Sequence, residues 1–375
     1  MFNLKPIALV GGTVVCAVGF LLFIPLVVEV IYKTDSWQSY AVPILLYLIV
    51  GGSLVITNRN IELSISTKEA FFITVLSWLL FSILCSVPFI YTQSNLSVFD
   101  ALFESMSGIT TTGATVISGL DNLPKGILIW RALLQWLGGI GIVVIALIIL
   151  PFLRIGGMQL FHLEGDDPYD KFLPKITSVI SKIVIIYLTL TIVLFGLYYV
   201  NGMSLFDAIA HSFTTISTGG FSTHDLSFAY FENHSILLIS IIFMILGSFP
   251  FLVLAKTNIK NPFEAFKDHQ VKIFLLLLFI SICLIYFFAQ KYLVGSEIQK
   301  IIIISFNTIS IISGTGFISE NFEGWGNYAS TLFLILMFIG GCAGSTTGGI
   351  KIFRFQILFN FIAIHLKKCF NLTLL

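Results

Sequence analysis

Eight long apolar runs dominate the chain, at 7–31, 40–56, 70–91, 127–153, 176–200, 234–255, 272–294 and 328–348. Each approaches the ~20 residues that carry a helix across a bilayer, although the second is short for a span. The whole chain of 375 residues is 57% hydrophobic and only 10% charged, with a mean hydropathy of +0.99. No ordinary soluble domain approaches these values, so the fold class is an all-α polytopic membrane protein. The first run is longer than a signal-peptide core and has no clear small-x-small cleavage site, which favours a retained membrane helix.

Net charge is +1, leaving no global field that would favour nucleic acid. The placement of the charges is more informative. With the N-terminus inside, fifteen of the twenty Lys and Arg residues fall on or near the cytoplasmic side, and only Lys33, Lys125, Arg131, Lys291 and Lys300 fall outside. Eight crossings then leave both termini cytoplasmic. The five cysteines, Cys16, Cys85, Cys283, Cys342 and Cys369, are odd in number, and four lie in apolar segments. They read as packing residues, without a disulfide or metal role. No Ser/His/Asp, Cys/His or paired-carboxylate arrangement has credible intramembrane spacing, so an enzyme is not expected.

Three shorter segments, at 97–109, 204–216 and 298–312, lie between spans three and four, five and six, and seven and eight. Each is too short to cross and ends in a glycine-containing run. A shift of 107 residues places Phe99-Asp100-Ala101 on Phe206-Asp207-Ala208, Ser105 on Ser212, Ile109 on Ile216, Thr110-Thr111 on Ser217-Thr218 and Gly113 on Gly220. A further shift of 96 carries Ile216-Ser217 onto Ile312-Ser313 and Gly220-Phe221 onto Gly316-Phe317. The three stretches are therefore copies of one unit: span, short outer helix, Thr/Ser/Gly run, span.

Backbone without helical hydrogen bonds is tolerated at membrane depth only in a protein interior or along a water-filled cavity, which makes these runs candidate pore linings. A half-helix entering from outside would aim the negative end of its dipole at the run and favour a cation. Carbonyl oxygens of an extended Gly-containing run could then replace the hydration shell of a potassium-sized ion. The bland reading of one such run is a loop, or small residues at a helix contact. For the repeat, the rival is an alternating-access cation symporter with broken helices.

On Phe99-Asp100-Ala101 with Thr110 to Thr115, Trp136 to Gly141, Gly156 to Leu160, Gly219 to Asp225 and Gly340 to Lys351, the chain resembles the pore-forming subunit of Trk-type potassium uptake systems, in the Trk/Ktr/HKT superfamily. The resemblance covers essentially the whole chain. It implies pore units around a pseudo-fourfold pore with an extra N-terminal helix pair: residues 1–66 as the pair, 67–160, 161–260 and 261–366 as three pore units, the last with a broken final helix, and 367–375 as a tail. The implied selectivity filter comprises Thr110, Thr111, Thr112, Gly113, Ser217, Thr218, Gly219, Gly220, Ser313, Gly314, Thr315 and Gly316. Some relatives that carry Ser at the first filter glycine are associated with sodium permeation, so Gly113 implies potassium. Also implied are a bacterial inner-membrane location, a cytoplasmic ring of nucleotide-binding regulatory subunits, a homodimer, and potassium as transported ligand with no covalently bound cofactor.

The run Gly340, Gly341, Cys342, Ala343, Gly344, Ser345, Thr346, Thr347, Gly348, Gly349, Ile350, Lys351 invites a phosphate-loop reading. Ile350 stands in the lysine position, however, and an apolar span precedes the run where a strand should be. A helix interrupted by small residues fits better. By resemblance it is the intramembrane gating loop. The family's fourth filter segment, and the arginine placed beneath the filter in that unit, have no counterpart after Lys351, where Phe353 to Leu375 reads as an apolar and basic tail. The chain looks like three quarters of the family's pore subunit, expected either to receive a fourth unit from another chain or to be a non-conducting fragment.

Among the remaining polar residues, Asp100 and Glu104 could attract cations at the outer mouth, or Asp100 could cap a helix, as Asp207 would in the second unit. His224-Asp225 reads as a local hydrogen bond. His162, Glu164, Asp166, Asp167 and Asp170 form a polar cytoplasmic loop, either solvated or in contact with a regulatory partner. Arg131 and Lys182 lie near span ends and could snorkel.

Overall fold

The computed structural model describes residues 4–60, 67–92, 96–149, 168–257 and 264–372. Among the described residues there are helices and loops, no strand, and one isolated parallel bridge between Ile339 and Ile350. Five helical stretches there are long and apolar enough to cross a membrane: Lys5–Tyr32, Asp35–Asn58, Phe71–Tyr91, Thr177–Val200 and His269–Tyr292. They take up the first, second, third, fifth and seventh apolar runs. The chain forms two compact units, Met1–Leu137 with Phe221–Asp225, and Gly138–Gly220 with Leu226–Leu375.

In the first unit, the first run divides into α1 (Leu4–Leu21) and α2 (Phe23–Tyr32). Pro25 has no N–H for the carbonyl of Leu21, so the helix steps at Leu22. The second run, short by composition, extends into the full helix α3 (Gln38–Asn58). Glycines bring α1 and α3 together. A Cβ on Gly51 would lie 2.7 Å from Cys16 Sγ and 2.8 Å from the Gly12 carbonyl oxygen. Helices α4 (Thr67–Tyr91), α5 (Val98–Ile109) and α6 (Lys125–Ile149) complete the unit. Trp130 Nε1 of α6 donates to the Cys85 carbonyl of α4 at 3.1 Å. Buried Glu29 of α2 accepts the Gly126 N–H in the first turn of α6 at 2.6 Å, tying α2 to α6.

The second unit holds the end of α6 with α7 (Pro168–Val200), α8 (Leu205–Ile216), α9 (His234–Gly247), α10 (Phe251–Leu254), α11 (His269–Ala289), α12 (Glu297–Ile312), α13 (Asn327–Leu336) and α14 (Ile352–Leu372). Two runs differ from expectation. The sixth, 234–255, is not one helix: α9 stops at Gly247, and Pro250 removes a donor while forcing Phe249 out of the helical region. The eighth, 328–348, is helical only to Leu336, because the following glycines favour a loop. The stretch after Lys351 is also no loose tail. Ile352–Leu372 is a helix, uninterrupted by Gly or Pro.

The α1–α3 contact gives a direct test. Gly51→Val should force the helices apart and cost about 1–3 kcal/mol, lowering the melting temperature in detergent. A Cβ on neighbouring Gly52 would meet nothing within 4 Å, so Gly52→Ala should melt at or above the parent value.

Candidate functional site

The three short helices end alike. In α5 the Thr111 N–H donates to the Gly108 carbonyl at 3.0 Å and the Thr112 N–H to Ser107 at 2.9 Å. In α8 the Thr218 N–H donates to Thr215 at 3.1 Å and the Gly219 N–H to Thr214 at 2.9 Å. These are Schellman caps, which need a left-handed residue after the cap. Thr111 (φ 55°) and Thr218 (φ 49°) supply it, although threonine there costs about 1–2 kcal/mol relative to glycine. Gly314 (φ 72°) takes the position after α12. In that third copy the closing bond shifts, so that the Gly316 N–H reaches the Ser310 carbonyl at 3.1 Å.

Two residues beyond the left-handed position lies a second one with positive φ, Gly113 at 77°, Gly220 at 84° and Gly316 at 82°. Alternating the sense of the backbone turns successive peptide planes over, so carbonyls that would alternate in a strand can share one side. Among the described residues, no donor reaches the carbonyls of Thr110 to Gly113 or of Ser313 to Gly316. Within the second unit, a Cβ on Gly220 would lie 1.7 Å from the Thr315 carbonyl oxygen, so only glycine fits. Gly139, from the Trp136–Gly141 motif, is similarly confined: its Cβ would meet Ser217 Cβ at 2.8 Å and the Tyr187 hydroxyl at 2.9 Å.

In the first and third copies the chain returning from the loop is held by a polar residue in the middle of the short helix. Glu104 is fully buried, accepts the Thr115 hydroxyl at 2.9 Å and the Val116 N–H at 3.2 Å, and pairs with Arg131 Nε at 2.7 Å. Arg131 is only 1% exposed. It donates to the Ser222 carbonyl at 3.0 Å and to Thr115 Oγ1 at 3.1 Å, and its guanidinium lies 4.1 Å from the centre of the Phe221 ring. Arg131 therefore does not snorkel, and Glu104 is engaged within the fold. The helices are capped not by Asp100 and Asp207 but by Ser97 and Ser204, which accept the aspartates' N–H groups while the carboxylates accept the serine hydroxyls. The same repeat offsets that align the glycines align Glu104 with His211 and Asn307, all buried. Asn307 donates to Ser319 Oγ at 2.9 Å in the third copy. A conserved register of polar residues inside otherwise apolar short helices was the signal available in the sequence.

His224 does not pair with Asp225. Its Nδ1 meets Asp121, while Asp225 accepts the Gly119 N–H at 2.9 Å. Together these contacts clasp the loop after the first Thr/Gly run to the loop after the second. Thus the sequence-adjacent pair acts across the chain, which no local pattern revealed. Of the candidate regulatory loop, His162, Glu164, Asp166 and Asp167 lie outside the described residues, as do Gly156 to Leu160. Asp170 falls within α7.

Residues 340–349 form a closed loop. Its ends meet where the Gly340 N–H donates to Ile350 and the Ile350 N–H to Phe338, both at 3.0 Å. A Cβ on Gly340 would lie 1.9 Å from the Gly348 carbonyl oxygen. The loop fills the break in the sixth run. Cys342 N–H donates to the Ser248 carbonyl at 3.0 Å, and Phe251 N–H donates to Gly344 at 3.0 Å. Lys351 Nζ turns back into the loop, bonding the Thr347 carbonyl and, at 2.9 Å, its hydroxyl. Gly344, Gly348 and Gly349 are exposed, whereas Ser345, Thr346 and Thr347 are buried.

Repeated short helices ending in left-handed, glycine-containing runs, set among apolar helices of membrane-spanning length, define an α-helical membrane transporter of the pore-loop kind. The family model described as "TrkH: Cation transport protein" matches residues 38–371. The chain is 36% identical to the Trk system potassium uptake protein TrkI of Halomonas elongata, over 94% of this chain and 72% of that protein. It is likewise 36% identical to TrkH of Escherichia coli, over 95% and 75%. The crystal structure of the potassium transporter TrkH from Vibrio parahaemolyticus matches with a TM-score of 0.88 at 34% identity, over 98% of this chain and 77% of that one. The chain belongs to the TrkH cation transport family.

Two outcomes follow from these contacts. Glu104→Met or Arg131→Met alone should destabilise by about 3–5 kcal/mol, since each strands a buried charge, while the double replacement Glu104→Met with Arg131→Met recovers part of that loss. Thermal melts of the four proteins close the cycle. At the clasp, the His224 hydrogen bond, with help from the Asp225 N–H, holds the Asp121 carboxyl below its ordinary range. A carboxyl depressed on folding contributes above its unfolded pKa and loses that contribution as pH falls through the lower folded value. Protection of the Asp225 amide, which donates to Asp121, should therefore fall only below about pH 4, read as exchange relative to the intrinsic rate.

Proposed function

We propose that this protein takes up potassium across the bacterial cytoplasmic membrane as the pore-forming subunit of a Trk system. Residues Thr110–Gly113, Ser217–Gly220 and Ser313–Gly316 are its filter segments, and their carbonyl oxygens replace part of the ion's hydration shell. The observation that carries this reading is the recurrence of left-handed, glycine-containing runs at the C-terminal ends of equivalent short helices, with carbonyls that no described donor reaches in the first and third copies. That is where a helix dipole favours a cation. The names of the relatives, potassium uptake proteins of Trk systems, support the same ion. Gly113 in the first segment favours potassium over sodium, and Gly340 to Gly349 gate the path beneath the filter.

The three repeats correspond to pore units at 67–160, 161–260 and 261–366, preceded by the helix pair 1–66. Both termini are cytoplasmic, as the distribution of Lys and Arg favours. A ring of nucleotide-binding regulatory subunits docks on the cytoplasmic face of a homodimer, and copurification with and without the 154–175 loop tests that contact. The filter itself is tested by rubidium and sodium uptake in potassium-uptake-deficient cells expressing the protein as natively encoded. Gly113→Ser should lower the potassium-to-sodium ratio by about tenfold, equivalent to ~1.4 kcal/mol. An unchanged ratio, or no potassium-dependent rescue by the parent protein, would overturn this reading.

A further inference from the structure

The Thr346 side chain stands at a junction that filter and gate share. Its Oγ1 lies 3.2 Å from Thr218 Oγ1, 3.2 Å from the Ile216 carbonyl oxygen and 3.1 Å from that of Gly247, and its own N–H donates to Gly247 at 3.3 Å. Ile216 and Gly247 are the last residues of α8 and α9, whose carbonyls the helices leave without partners. Thr346 and Thr218 are 2% and 1% exposed, so water does not stand in for these contacts. The junction has no slack. A Cβ on Gly247 would come within 3.1 Å of Thr218 Cγ2 and 3.2 Å of the Ile216 oxygen.

One hydroxyl proton makes this junction more than a packing contact. Thr218 Oγ1 has two acceptors in reach, Thr346 Oγ1 at 3.2 Å and the Ser217 carbonyl at 2.8 Å. The second is one of the oxygens assigned to the ion. When Thr346 accepts that proton, it passes its own to Ile216 or Gly247, and the Ser217 oxygen is left to the cation. When the loop withdraws, the Thr218 proton has only Ser217, and hydroxyl and ion compete for one oxygen.

We infer that Thr346 is a positioning residue through which the 340–349 loop sets the cation preference of the second filter segment, so that gating and selectivity are coupled through the Thr218 hydroxyl. This rests on the filter reading above. Rubidium-to-sodium uptake ratios in cells expressing the natively encoded protein test it, with membrane abundance measured alongside. Thr346→Val keeps the shape but removes the acceptor, and should lower the ratio about fivefold, the worth of one ordinary hydrogen bond. Thr346→Ser should restore it, and adding Thr218→Val to Thr346→Val should raise it again by removing the competing donor. A purely structural role would change uptake of both ions together and would not be relieved by the second substitution.

An unchanged ratio in Thr346→Val, or no recovery in the double variant, overturns the coupling. If Thr346→Val does not reach the membrane, Thr218→Val alone decides: the ratio must rise, and a constant or falling ratio overturns the proposal. Gly113→Ser in the same assay separates the two readings. If it shifts the ratio while Thr346→Val does not, the coupling fails and the filter stands. If neither shifts it, the filter assignment fails.

Discussion

A backbone carbonyl held away from water needs a donor or a cation, and this requirement organises the fold. The spanning helices meet it internally. Each short helix meets it with a cap that serves its last carbonyls; in the first and third copies four residues follow whose oxygens no described donor reaches, and in the second the Ser217 carbonyl accepts the Thr218 hydroxyl. The caps work only with a left-handed residue, and the first and second copies place threonine there. Strain of this kind persists where the surroundings over-determine the backbone. Here the surroundings include Gly139 and Gly247, each too close to the second filter segment to carry a side chain without displacing it.

The Glu104–Arg131 pair applies the same logic to side chains. Two charges withdrawn from water are unfavourable unless their hydrogen-bonding capacity is filled. Thr115, Val116 and Ser222 fill it, and all three follow the glycine-containing runs after the short helices. The pair thus holds the outgoing chain of one loop and the end of another at fixed distances from α5 and α6. Asn307 performs part of this task in the third copy with neutral groups, by bonding Ser319 directly.

Much of this was legible because membrane helices and tandem repeats leave strong periodic signals. The apolar runs located helices, and the offsets of 107 and 96 residues located equivalent glycines. What escaped the sequence was of two kinds. The break at Pro250 was hidden because hydropathy averages over a window and does not register one missing donor, whereas the glycines of 340–349 announced the break in the eighth run. Contacts such as Arg131 to Glu104, or His224 to Asp121, join residues 27 and 103 positions apart, and charge counting assigned each partner to the surface instead. The polar register of Glu104, His211 and Asn307 was within reach of the repeat alignment. It is obscured by their being an acid, an imidazole and an amide, which share burial and hydrogen bonding but not residue type.

The break between α9 and α10 has one further consequence. The carbonyls of Gly247 and Ser248 are served by the amides of Thr346 and Cys342, which belong to the 340–349 loop. If that loop swings aside, nothing in the helix can replace those donors. Solvent must enter and take over, since bare oxygens are too costly at this depth. Displacing the loop would therefore wet the break between α9 and α10, and the loop's amides are what keep that break dry.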